Sequence, residues 1–139
     1  KQVTDAQPLK IWLVEDNPLN AMLALKVLEL AGHTAKRLSN GQEVVDAVRQ
    51  HLADAPGDLP DAILMDVQMP EMNGIVATEK IREIENSGDK ASAIPIIAMT
   101  ASLLKTEIET CLLSGMDNYI PKPYTPVELI GPIYKALRA

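Results

Sequence analysis

The sequence predicts an α/β fold, a parallel sheet with helices packed on both faces. Short apolar runs alternate five times with longer stretches of helical spacing. Two of the runs, 11–14 and 63–65, are apolar throughout and not at every second residue, as in strands buried on both sides. Gly, Pro, Ser and Asp cluster between the units.

The first strand falls at 11–14 and the first helix at 18–31. Pro18 follows a cap at Asn17, where a first-turn proline belongs, and Gly32 sits just past the end, where a left-handed residue closes a helix. A second strand at 34–37 and helix at 41–52 lead into a turn-rich stretch at 54–60. The third strand is 62–65 and its helix 74–86, followed by a loop at 87–93. The fourth strand is 94–99. Its helix, 103–115, ends at Gly115, and Ser102 suits its cap better than Thr100. The fifth strand is 118–120 and the fifth helix 125–137, with Thr125 capping ahead of Pro126. Residues 1–9 are polar and aperiodic and read as a linker or disordered N terminus, leaving 10–139 as one domain.

Composition narrows the function. Phe is absent and the aromatics are Trp12, Tyr119, Tyr124 and Tyr134, so the core must come from Leu, Ile, Val, Met and Ala, with Trp12 as core filling. The net charge of −6 argues against a phosphate-tracking nucleic-acid surface, which needs a basic patch, and against an anionic membrane surface. Cys111 is alone, so no internal disulfide forms and a reducing compartment is expected; at helical spacing with Leu104 and Ile108 it reads as a small hydrophobe. No apolar run reaches the roughly 18 residues of a membrane span, and no signal peptide is visible. His33 and His51 have no motif partners.

In an open α/β sheet the site lies beyond the carboxyl ends of the central strands. After the first strand stand Glu15 and Asp16, after the third Asp66, after the fourth Thr100, after the fifth Lys122. Converging carboxylates repel, and one stays protonated unless a cation joins them. Mg²⁺ suits such a set, since it takes oxygen ligands from one or two carboxylates and a phosphate. A carboxylate there can act as a nucleophile toward phosphorus. Mg²⁺, Lys122 and a hydroxyl such as Thr100 would then neutralise the phosphoryl oxygens.

These residues lie in four segments: IWLVEDNPLN (11–20), ILMDVQMPEMNG (63–74), IIAMTA (96–101) and NYIPKP (118–123). In order and spacing they resemble the receiver domain of two-component response regulators, over about residues 9 to 138. The resemblance implies a (βα)5 doubly wound sheet of strand order 2-1-3-4-5, flavodoxin-like, with 10–139 as the receiver. It implies Asp66 as phosphoacceptor, Asp16 as direct Mg²⁺ ligand, Glu15 acting mostly through water, and the Gln68 carbonyl as third protein ligand. Thr100 and Lys122 match the phosphate-contacting hydroxyl and lysine, and Tyr119 the switch aromatic. The Lys122–Pro123 bond is cis in many relatives. Only self-phosphorylation and slow autodephosphorylation are expected, without multiple turnover.

The segments look most like receivers fused to hybrid sensor histidine kinases, and the start at Lys1 suggests a piece of a longer chain. The implied donor is a phosphohistidine on a histidine kinase or histidine phosphotransfer domain. The implied setting is cytoplasmic, without nucleic acid or direct membrane contact, as a monomer or weak dimer. A stand-alone response regulator and a non-phosphorylated pseudo-receiver are the alternatives. A haloacid-dehalogenase-type phosphatase would need an Asp where Gln68 stands, and a nucleotide-binding protein would need a Gly-rich phosphate loop. On the first helix, Leu19, Met22, Leu23, Val27 and Leu30 form one apolar stripe and Ala21, Ala24, Leu25 and Leu28 another. One of them must face outward, so Met22 or Leu25 is expected to dock the donor's helices.

Overall fold

The computed structural model describes residues 8–86 and 93–138. The element order is β1 (Lys10–Val14), α1 (Pro18–Leu30), β2 (Thr34–Leu38), α2 (Gly41–Asp54), a 3-10 turn (Pro56–Asp58), β3 (Ala62–Asp66), α3 (Gly74–Asn86), β4 (Ile96–Thr100), α4 (Lys105–Leu113), β5 (Asn118–Pro121) and α5 (Pro126–Arg138). The strands form one parallel sheet in the order β2-β1-β3-β4-β5. This is the flavodoxin-like order expected.

Alternate residues of each central strand enter different cores. Trp12, Val14, Ile63, Met65, Ile96 and Ala98 pack with Val44, Val48, Ala77 and Ile81 under α2 and α3. Ile11, Leu13, Leu64, Ile97, Met99 and Ile120 pack with Ala21, Ala24 and Leu28 of α1 and Leu129 and Ile133 of α5. Because both sides are covered, every residue of β3 and β4 is buried, which explains runs with no polar alternation. Each buried Ile, Leu or Met among them contributes roughly 1.5–3 kcal/mol by leaving water. Trp12 fills the core, as expected, with its ring edge-on to His51 and the Lys36 ammonium 5.7 Å from its centre.

Local chemistry sets the element ends. Asn17 Oδ1 accepts from the amides of Leu19 and Asn20 at 2.9 and 3.0 Å, capping α1 ahead of Pro18. Thr125 and Glu128 form a reciprocal capping box at α5. Gly32 and Gly115 have φ of 92° and 116°, the left-handed backbone expected of them.

Three expectations are corrected. The fourth strand starts at Ile96, because Pro95 has no amide to give a ladder and only its carbonyl is used, accepting from Ile63 N. The fourth helix starts at Lys105, not 103. Leu104, not Ser102, holds its cap position and provides no side-chain acceptor. α2 runs on to Asp54, and the 3-10 turn occupies the middle of the stretch read as loop. Of the linker expected at 1–9 and the loop expected at 87–93, residues 1–7 and 87–92 lie outside the described residues, while Leu9 is buried in the core under α1 and α5.

Candidate functional site

β1 ends at the central crossover of the sheet and delivers Glu15 and Asp16. Glu15 is 2% exposed, whereas Asp16 is open to solvent. The Glu15 amide continues the β1–β2 ladder to Leu38 O, and its Oε2 accepts from Asn17 N at 3.2 Å. Arg37, near the end of β2, sends Nε to Glu15 O and Nη2 to Asp16 O, both at 3.1 Å, and so holds the loop that carries the two acids. Sequence reasoning missed this fork, because an arginine on an edge strand reads first as a solvated charge.

β3 ends in Asp66, which is buried and whose Oδ1 accepts from Gln68 N at 3.2 Å. α3 comes very close here, since a Cβ on Gly74 would lie 2.3 Å from Asp66 O. Lys122, just past β5, is anchored by its amide to Thr100 O at 2.8 Å. Its Nζ lies 3.2 Å from both Glu15 Oε1 and Asp66 Oδ1. The Lys122–Pro123 peptide is cis.

Glu15, Asp16 and Asp66 each bring a carboxylate oxygen within 4.8 Å of the others. Burial, a hydrogen bond shared with Glu15 and the negative charge of Glu15 push Asp66 up to about 7 against the pull of Lys122. Burial lowers the Lys122 ammonium, but Asp66 and Glu15 outweigh it and hold the ammonium above its ordinary value. With three acids and one ammonium, the centre carries excess negative charge and suits a hard divalent cation.

A polar cleft of about 230 Å³ opens over this centre, lined by Glu15, Asp16, Asn17, Asn20, Asp66, Gln68, Ala101 and Lys122. Asn20, the last residue of the segment 11–20, also lines the cleft. From Glu15 and Lys122 an apolar groove of about 580 Å³ continues past Leu23, Val27, Tyr124 and Pro126. On α1 the outward face is Leu19, Met22, Leu23 and Leu30. Of the two docking candidates, Met22 is 58% exposed. Leu25 is half-buried against the core instead, because it shares the inward side with Ala21, Ala24 and Leu28.

Thr100 lies at the end of β4 but does not line the cleft. Its hydroxyl accepts from Ser102 N at 3.1 Å and donates to Ser102 O at 3.4 Å. Tyr119 is half-buried and packs against the core under α2 and α3. The cleft thus gathers Glu15, Asp16, Asp66, Gln68 and Lys122, while Thr100 and Tyr119 stand behind it. Among the described residues no helix is long and apolar enough to cross a membrane.

Comparison with known proteins agrees with this geometry. The family profile described as response regulator receiver domain matches residues 11–134. A probable histidine kinase of Oryza sativa subsp. indica is 38% identical over 141 residues, which are 82% of this chain and 14% of that protein. The receiver domain of sensor histidine kinase PA1611 from Pseudomonas aeruginosa, solved with a magnesium ion in its active-site cleft, superposes with a TM-score of 0.78 at 31% identity, covering 96% of this chain and all of that one. The receiver domain of the Saccharomyces cerevisiae response regulator Ssk1, solved with the histidine phosphotransfer protein Ypd1, gives a TM-score of 0.77 at 30% identity over 91% of this chain and 86% of that one. The chain belongs to the response regulator receiver domain family of two-component signalling.

Proposed function

We propose that Asp66 is the phosphoacceptor of a phosphorelay, loaded from a phosphohistidine. An Asp66 carboxylate oxygen forms the new bond to phosphorus, the phosphorus–nitrogen bond of the donor breaks, and the leaving imidazole takes up a proton. The observation that carries this reading is the convergence of Lys122 Nζ on Asp66 and Glu15, 3.2 Å from each, at the carboxyl ends of the central strands.

The donor set fits Mg²⁺, being all oxygen, clustered, over-charged and open on one side. Asp16 and Asp66, the Gln68 carbonyl and, through water, Glu15 would hold it. When bound, Mg²⁺ supplies charge neutralisation to the phosphoryl oxygens. Lys122 is already placed to hold another of those oxygens. Thr100 turns from Ser102 to take the third, and Tyr119 follows it inward. The new group adds roughly −1.5 to −2 charge, which biases an existing two-state equilibrium.

The donor is a histidine kinase or histidine phosphotransfer domain whose helices rest on the outward face of α1. Met22 lies on that face, and Lys122 stands where the groove beside it meets the cleft. Residues 10–139 would serve as the cytoplasmic receiver of a hybrid sensor histidine kinase, in a free or a membrane-anchored form. The test is intact mass after incubation with acetyl phosphate and Mg²⁺, with and without chelator, beside Asp66→Ala. One phosphoryl adduct that needs both Mg²⁺ and Asp66 is expected; an adduct that survives Asp66→Ala refutes the assignment. Met22→Glu is expected to slow transfer from a phosphorylated histidine domain while leaving acetyl phosphate loading unchanged. Equal transfer rates would remove the α1 face from the docking surface.

A further inference from the structure

The Thr100 hydroxyl has one proton to donate and lone pairs to accept, and backbone groups of Ser102 engage both functions. To reach a phosphoryl oxygen on Asp66, Thr100 must release Ser102. Ser102 is itself held. Its Oγ accepts from Leu104 N at 3.3 Å and donates to the Glu107 carboxylate in the first turn of α4. α4 has a single buried residue, Cys111, near its other end, and its cap position provides no side-chain acceptor. A carboxylate in the first turn also suits the helix dipole, so Glu107 has reason to stay where it is. A continuous chain of hydrogen bonds thus runs from Thr100 through Ser102 to Glu107.

We propose that Glu107 is a positioning residue for the phosphoryl switch. Through Ser102 it keeps the Thr100 hydroxyl turned away from the cleft until Asp66 is phosphorylated, and it ties release of that hydroxyl to release of the N-terminal end of α4. This rests on the role given above to Thr100. The contact favours one of two states, so its loss shifts their populations without creating a new state. Glu107 and Ser102 are near the surface, so the shift is modest, about fivefold.

The test uses the whole chain with Glu107→Ala and Glu107→Gln. Two quantities are read: the backbone amide shift of Ser102 by NMR, and the initial rate of Asp66 phosphorylation by acetyl phosphate at saturating Mg²⁺. In unphosphorylated Glu107→Ala, the Ser102 amide is expected to move toward its position in the phosphorylated wild type, and the rate to rise about fivefold. Glu107→Gln keeps an oxygen that accepts from the Ser102 hydroxyl and is expected to stay near wild type in both readings. If phosphorylation of the wild type leaves the Ser102 amide in place, the role of Thr100 falls and this proposal with it. If the wild type responds but Glu107→Ala changes neither reading, or if Ala and Gln act alike, only the role of Glu107 falls.

Discussion

Lys122 Nζ lies 3.2 Å from Asp66 Oδ1, yet Asp66 is pushed up to about 7. The ammonium is shared with Glu15 at the same distance, so it answers two acids and does not offset the burial of Asp66 in full. The metal-free fold therefore keeps a strained charge balance at the point where chemistry is to occur.

Removing one acid should relieve it. In the unfolded chain Asp66 ionises near its ordinary value of 3.8, while in the fold it holds its proton to about 7. Stability is therefore lost as pH rises from about 4 to about 7, because the unfolded chain releases the proton first. Asp66→Asn has no such proton to lose. In chelator its advantage over the wild type should be smaller at pH 4.5 than at pH 7.5, the difference being on the order of 1 kcal/mol, discounted because the cleft admits water. Urea midpoints at the two pH values check this, and an equal offset at both would contradict it. Saturating Mg²⁺ should shrink the advantage, since it stabilises only the chain with all its acids.

Lys122→Ala tests the opposite charge. It leaves Glu15 and Asp66 facing each other without a cation and removes one stabiliser of the transferring group. Phosphorylation by acetyl phosphate should slow about 10²-fold or more, judged by the effect of losing one such donor elsewhere. Mg²⁺ binding, followed calorimetrically, should survive. Lys122→Arg should not restore the rate, because a planar guanidinium cannot sit as a point charge between two acids. Full activity in Lys122→Ala would detach Lys122 from the chemistry, and full activity in Lys122→Arg alone would show that any cation at this place suffices.

The parts of this molecule that were legible in the sequence are those that a single residue type dictates. Pro18 after Asn17, Gly115 at a left-handed C terminus and the unbroken apolar runs of β1 and β3 each have one structural solution, and together they led to the sheet. The acids and Lys122 were legible because strand ends converge in this topology. What stayed hidden depends on side-chain direction across elements. Nothing local says that Arg37 turns back onto two carbonyls, or that Thr100 bonds to Ser102 and not into the cleft. Likewise, both faces of α1 are apolar, and only packing on the sheet showed that Ala24 and Leu28 go inward while Met22 does not.

Gly74 links fold and site. A Cβ there would stand 2.3 Å from Asp66 O and 2.9 Å from Met65 Cγ, so α3 must retreat or the end of β3 must shift. Gly74→Ala should destabilise by about 1–3 kcal/mol, as overpacking does, and should also weaken Mg²⁺ binding by displacing Asp66. Gly57→Ala is the control, since a Cβ there meets nothing within 4 Å. Chemical denaturation of the two variants side by side checks this. Similar small losses would mean that α3 yields easily.

His33, which no motif explained, supports a final prediction. It is 4% exposed, with Nδ1 accepting from Leu9 N and Nε2 facing the Tyr134 hydroxyl, both at 3.0 Å. Since Nδ1 is an acceptor, the ring is neutral with its proton on Nε2, donated to Tyr134. Burial holds its pKa below 6.5, opposed by the charge of Asp61. As pH falls below 6.5 the unfolded chain takes up a proton that the fold resists, so this site costs stability on the acid side, until the folded ring also titrates. Protonation would also turn an N–H toward the Leu9 amide and break the tie between the start of β1 and α5. His33→Gln cannot titrate, and its amide oxygen is able to accept from Leu9 N. Between pH 7.5 and 5.5 the wild type should therefore lose more stability than His33→Gln, with the gap opening only below about pH 6.5. Parallel losses in the two proteins, read from urea midpoints, would show that the buried ring tolerates its charge.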